Sequence, residues 1–129
     1  MSRSIILTAA LVLSLGGAAA AQAPSPIKRN FLQRFDVPGA AYETLIGTSE
    51  LGPNQTAGRQ RHFGPEAGYV LAGSGTMLVE GKPPLALKAG DSFKIAPGAI
   101  HDLKSGPEGL KIVITWVLQK GKPFTTAVR

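Results

Sequence analysis

The sequence predicts an all-β domain, a sandwich or barrel of short strands, on three observations. Sixteen glycines and ten prolines punctuate the 129 residues. Past Tyr42 they recur about every eight to twelve residues, the interval expected of turns between short strands. No stretch keeps a helical period of 3.6 without one of these breakers inside it. The C-terminal part alternates at period two instead, the pattern of a strand with one buried face.

The elements follow in order. Residues 30–35, Asn-Phe-Leu-Gln-Arg-Phe, fit a short strand or a turn of helix equally well. Residues 43–48 read as a strand. Residues 68–72 are apolar throughout, which predicts a strand buried on both faces. A turn at Gly73-Ser74-Gly75 then leads into a strand over 75–80, closed by Gly81-Lys82-Pro83-Pro84. Residues 85–89 alternate and end at Gly90-Asp91, and residues 92–95 alternate again up to Pro97-Gly98. The longest strand covers 110–118, with Leu110, Ile112, Ile114, Trp116 and Leu118 on one face. Trp116 and Phe93 read as core, and Tyr69 as a buried, hydrogen-bonded tyrosine.

The N-terminus has a different character. Arg3 precedes a short uncharged run over residues 5–15, and small residues lead to Ala21-Gln22-Ala23. A basic start, a short apolar run and an Ala-x-Ala ending describe a secretory signal peptide. The run is shorter than the roughly 20 apolar residues that span a bilayer. The expected organisation is a signal peptide over 1–21, a linker over 22–28 and one domain over 29–129, exported to the periplasm or the medium. The absence of cysteine removes both a disulfide requirement and a lipid tether through an N-terminal cysteine. No later segment is apolar enough for membrane insertion. The net charge of +6 falls by one when Arg3 leaves with the signal. Lysines stand singly at 82, 88, 94, 104 and 111 without interleaved aromatics, which describes a solvated surface and not a nucleic-acid partner.

Chemistry is concentrated in few residues. His62 and His101 are the two histidines of the chain, and each sits beside a turn. Two neutral imidazoles with one carboxylate suit divalent iron, and zinc or manganese also use such a set. Glu66 follows His62 closely, but 35 positions separate it from His101, so spacing alone does not bring the three together. On the residues alone Glu66 is equally a surface carboxylate or a partner for Arg59 or Arg61.

Two stretches resemble the paired motifs of the cupins. His62-Phe63-Gly64-Pro65-Glu66, with six residues between the glutamate and Gly73, is similar to the end of the first motif. Gly90-Asp91-Ser92-Phe93-Lys94-Ile95-Ala96-Pro97-Gly98-Ala99-Ile100-His101 is similar to the second. The resemblance, covering residues 31–123, implies a double-stranded β-helix, or jelly roll, with a site inside the barrel mouth. It implies a divalent metal, iron first, with Glu66 and His101 at matching ligand positions. An ungapped alignment makes His62 the second histidine of the first motif and places Gln60 at the first, on the same strand face. A gapped alignment makes His62 the first and deletes the second. One usual ligand is absent either way. Ala96 replaces a proline, and Ser105 stands where an asparagine is common beyond the second-motif histidine. The resemblance leaves two functional classes: a small metal-dependent enzyme similar to the quercetinase-like cupins, acting on a small molecule, or a non-catalytic cupin that binds one or supports an assembly. Pairing into a homodimer through edge strands is the family expectation.

Overall fold

The computed structural model describes residues 26–129. The expected signal peptide and most of the expected linker lie outside these residues. Eight strands form the described chain: β1 (Lys28–Asp36), β2 (Tyr42–Leu51), β3 (Gln60–Arg61), β4 (Glu66–Val79), β5 (Leu85–Lys88), β6 (Ser92–Ile95), β7 (His101–Gln119) and β8 (Thr126–Ala127). There is no helix among the described residues. Every pairing is antiparallel, in the order β1-β2-β7-β3-β8, and β4 joins β7 to β5 and β6. The result is an all-β double-stranded β-helix, as the resemblance implies. Residues 30–35 resolve as strand within β1, which opens at Lys28.

The ribbon of β4 and β7 organises everything else. Glu66 pairs with Trp116 at one end, and Val79 pairs with His101 at the other. A straight strand of this length would hold its ends roughly 43 Å apart, at about 3.3 Å per residue. Yet His101 Nε2 lies 3.8 Å from a Glu66 carboxylate oxygen. The ribbon therefore doubles back on itself. The corner sits where the register shifts, between Val70 and Ala72 and between Gly73 and Gly75.

Here the structure corrects the sequence reading. Gly73-Ser74-Gly75 is not a turn between two strands but a bend inside one, since pairing with β7 resumes at Gly75↔Ser105. The segment from Gly106 to Gly109 stands opposite Ser74 alone and carries Pro107 at the irregularity, where a missing ladder N–H does no harm. This is also why β7 starts at His101 and not near Leu110. Gly73 and Gly109 both have φ of +78°, and a Cβ on Gly73 would lie 2.0 Å from the Gly109 carbonyl oxygen. No other residue type fits that crossing of two backbones.

Apolar burial follows the alternation. Leu110, Ile112, Ile114, Trp116 and Leu118 all face inward, joined by Leu45, Val70, Phe93 and Ile95. Each fully buried large side chain contributes about 1.5–3 kcal/mol. Residues 68–72 are not buried on both faces: Tyr69 is 48% and Leu71 46% exposed. As in most antiparallel sheets, one face of β4 meets water there, so Tyr69 is a surface residue.

The corner yields a test. Gly73→Ala should lower unfolding stability by about 2–4 kcal/mol, from backbone strain plus the clash with Gly109. Gly81→Ala, at φ +76° with open space around the added atom, should cost only about 1–2 kcal/mol of strain. Equal losses in urea titrations would show that the close crossing carries no weight.

Candidate metal centre

The folded-over ribbon delivers three side chains to one point. Glu66 is the first residue of β4, wedged between Trp116 of β7 and Ile95 of β6. His101 is the first residue of β7, with Val79 and Gln60 as its cross-strand neighbours. His62 leaves β3 one residue after Arg61. The turn after β6 ties the two histidines together: the Gly98 N–H donates to the His62 carbonyl at 2.9 Å, and the Ala99 carbonyl accepts from His101 Nδ1, also at 2.9 Å. The shift of proline from 96 to 97 leaves this turn intact, with Ala99 N–H bonded to the Ala96 carbonyl at 3.1 Å.

Hydrogen bonding fixes which atoms face the centre. His62 Nδ1 lies 2.6 Å from the Phe124 carbonyl oxygen. A carbonyl only accepts, so each histidine carries a hydrogen on Nδ1 and turns Nε2 inward, which in the neutral ring is a bare lone pair. Those lone pairs meet Glu66 Oε2, 3.2 Å from His62 Nε2 and 3.8 Å from His101 Nε2. The same oxygen accepts the Trp116 indole N–H at 3.0 Å. All three residues are buried, at 4%, 6% and 3% exposure for His62, Glu66 and His101. Burial pushes the His101 imidazole below its ordinary value, which keeps it neutral and ready as a ligand.

Three lone-pair atoms converging in a dry place repel one another unless something positive sits among them. The donor set therefore fits a divalent cation. The candidate ligand atoms all lie within 4.8 Å of one another, and two atoms each about 2.1 Å from one ion stand roughly 3 to 4 Å apart. The second layer is also complete: both Nδ1–H groups end on backbone carbonyls and the carboxylate is pinned by Trp116.

Gln60 lines the same small cavity as His62, Glu66 and His101. Its amide oxygen is engaged, however, accepting from Arg29 Nη2 at 3.2 Å and Thr125 Oγ1 at 3.0 Å. A ligating role would require that oxygen to be released. Glu66 does not pair with Arg59, which bridges to Glu80 instead. Ser105 serves no histidine; its hydroxyl donates to the Gly52 carbonyl and accepts from the Gln55 N–H, holding the loop after β2. Sequence reasoning missed Arg29 and Phe124, which reach the site from the two ends of the described chain and belong to no motif. Trp116 is core as expected, and its indole N–H is also what orients Glu66. The larger clefts, about 370 to 450 Å³, lie on the outside and hold no comparable cluster. The cavity at the triad is only about 10 Å³.

A curled antiparallel barrel with two histidines and a glutamate converging inside it is a β-barrel with a candidate metal site. The cupin-domain family model matches residues 47–118, more than half of the chain, and the chain belongs to the cupin family. Over 72 residues it is 35% identical to the dimethylsulfoniopropionate lyase DddW of Ruegeria pomeroyi, a match covering 56% of this chain and 47% of that protein. The chain thus spans about half the length of this curated relative. Solved structures agree on the fold. The dimethylsulfoniopropionate lyase DddQ of Ruegeria pomeroyi superposes with a TM-score of 0.67 at 17% identity, covering 80% of this chain and 52% of that one. A cupin-2 domain of Rhodospirillum rubrum gives 0.64 at 21% identity, covering 83% and 69%.

Trp116→Phe tests the second layer. The variant keeps a ring in the core but leaves Glu66 without its N–H donor. Zinc affinity, measured by competition with a chromophoric chelator, should fall about 10- to 100-fold. An unchanged affinity would show that the indole does not set the carboxylate.

Proposed function

We propose that the chain is an exported cupin metalloprotein in which His62, Glu66 and His101 hold one divalent transition metal, iron first and zinc or manganese as alternatives, and that it acts as an enzyme on a small organic molecule. The observation that carries this reading is the inward aim of both Nε2 lone pairs at one carboxylate oxygen. When bound, such a metal polarises an oxygen of the organic molecule or activates dioxygen. The protein's own share is positional. His62 and His101 supply neutral donors held by Phe124 and Ala99, and Glu66 supplies the compensating negative charge. Met77, Leu103 and Ile114 line the cavity with buried apolar surface and keep bulk water out. Gln60 belongs to the supporting layer, through its grip on Arg29. An oxygenase-like reaction remains the reading from the ligand set, and the lyase named among the relatives offers elimination as its competitor.

A second reading is favoured by the size of the cavity. With about 10 Å³ at the triad, room for roughly one water-sized group, a non-catalytic cupin holding a small ligand or supporting an assembly also fits. Pairing of two copies is supported by β1, which ends the sheet order and exposes Phe31, Leu32 and Phe35 at 49%, 50% and 59%.

One preparation tests these points. The mature protein, purified without chelators, should carry about one metal ion per chain by elemental analysis, and His101→Ala should carry less than a tenth of that. Light scattering on the same sample should give twice the monomer mass. Metal absent from both proteins would remove the enzyme reading, and a monomer mass would remove the dimer.

A further inference from the structure

Two buried polar atoms among the described residues have no hydrogen-bond partner, Arg29 Nε and Ser49 Oγ. They are neighbours. Arg29 and Ser49 are directly paired across β1 and β2, and both line the cavity that His62, Glu66 and His101 close from another side. Ser49 is 1% exposed. Leaving either group unmade in the interior is unfavourable, so two such groups side by side point to an occupant that accepts hydrogen bonds.

The Nη2 end of the Arg29 guanidinium is already placed. It donates to Gln60 Oε1 at 3.2 Å, that oxygen is also held by Thr125, and the cation lies over the Phe124 ring at 5.3 Å. Its buried Nε–H has no partner. Charge points the same way. Two neutral imidazoles and one carboxylate around a divalent ion leave one positive charge, and Arg29 adds a second facing the same dry space. Such a space takes an anion. At about 10 Å³ the space holds one water-sized group, so a carboxylate head enters only as the lining side chains draw apart, and a bulky tetrahedral oxyanion demands more room still.

We propose that Arg29 and Ser49 form a carboxylate-binding subsite opposite the metal centre, so that the molecule taken by this cupin is a short organic acid. The charge opposite rests on the metal-centre reading; the contacts from Arg29 and Ser49 rest on their own unpaired donors. Arg29 grips one carboxylate oxygen through Nε–H, and the Ser49 hydroxyl donates to the same group. Arg29 is thereby a binding residue, and Gln60 and Thr125 position it.

Acetate is the probe, titrated by calorimetry into the zinc-loaded and the metal-free mature protein. Arg29→Gln should weaken acetate at least tenfold and Ser49→Ala at least threefold, with zinc stoichiometry unchanged in both. Ser49→Ala removes a buried unpaired hydroxyl and should fold at least as well as the parent, which keeps the test open if Arg29→Gln folds poorly. Inorganic phosphate should bind at least tenfold more weakly than acetate. Arg29-dependent acetate binding in a chain that holds no zinc would sustain the subsite and remove the metal centre. Stoichiometric zinc with acetate affinity within twofold of the parent in both variants would overturn the subsite and spare the metal centre. No acetate binding to the parent in either form, or phosphate binding as tightly as acetate, would also overturn it.

Discussion

A single strand pair folded over on itself creates both the barrel and the site. The ribbon of β4 and β7 is long enough to carry Glu66 and His101 far apart, and its corner returns them to within contact of each other. That corner depends on two backbones crossing at Gly73 and Gly109 with no room for a side chain between them. Pairing continues on both sides of the bend, so the corner breaks few ladder bonds. Placing the ligands at the first residues of β4 and β7 then makes their convergence a consequence of closing the barrel. The β6–β7 turn adds local precision, since its backbone bonds reach both His62 and His101.

Electrostatics at the centre follow from that closure. Carbonyls of Phe124 and Ala99 claim the Nδ1 hydrogens, so with neutral rings the inward-facing atoms are all acceptors. Nothing in the apolar lining of Met77, Leu103 and Ile114 can relieve their mutual repulsion. A cation among them would resolve the conflict, and Arg29 and Ser49 line the same cavity. The arrangement also divides labour between parts of the chain: the motif segments supply the ligands, while β1 and the C-terminal segment supply the cover. This is why Phe124, outside either motif, holds a histidine in place.

The fold class and the three clustered residues were legible because they leave local marks. Alternation over 110–118 correctly gave the buried face from Leu110 to Leu118, and the glutamate and two histidines stand in recognisable motif positions beside turns. What could not be read was the long-range consequence of local signals. Gly73-Ser74-Gly75 has the composition of a turn, and only the presence of β7 across from it makes it a bend. The apolar run at 68–72 suggested double burial, but composition does not say that the barrel's outer face is wet at Tyr69 and Leu71. Arg29 sits next to a stretch that reads as linker, and its role arises only from being opposite Ser49. Gln60 shares the cavity as the strand-face argument implied, yet its amide oxygen is taken by donors that no spacing rule could supply.

The convergence of two imidazoles on one carboxylate is most directly read by nitrogen-15 NMR of the histidine side chains during a zinc titration. Before zinc, both rings should show the hydrogen on Nδ1. The Nε2 signals of His62 and His101 should then move together and stop at one equivalent. Rings carrying the hydrogen on Nε2, or two Nε2 signals responding at different zinc ratios, would mean that the ends of the folded ribbon do not meet around a common ion.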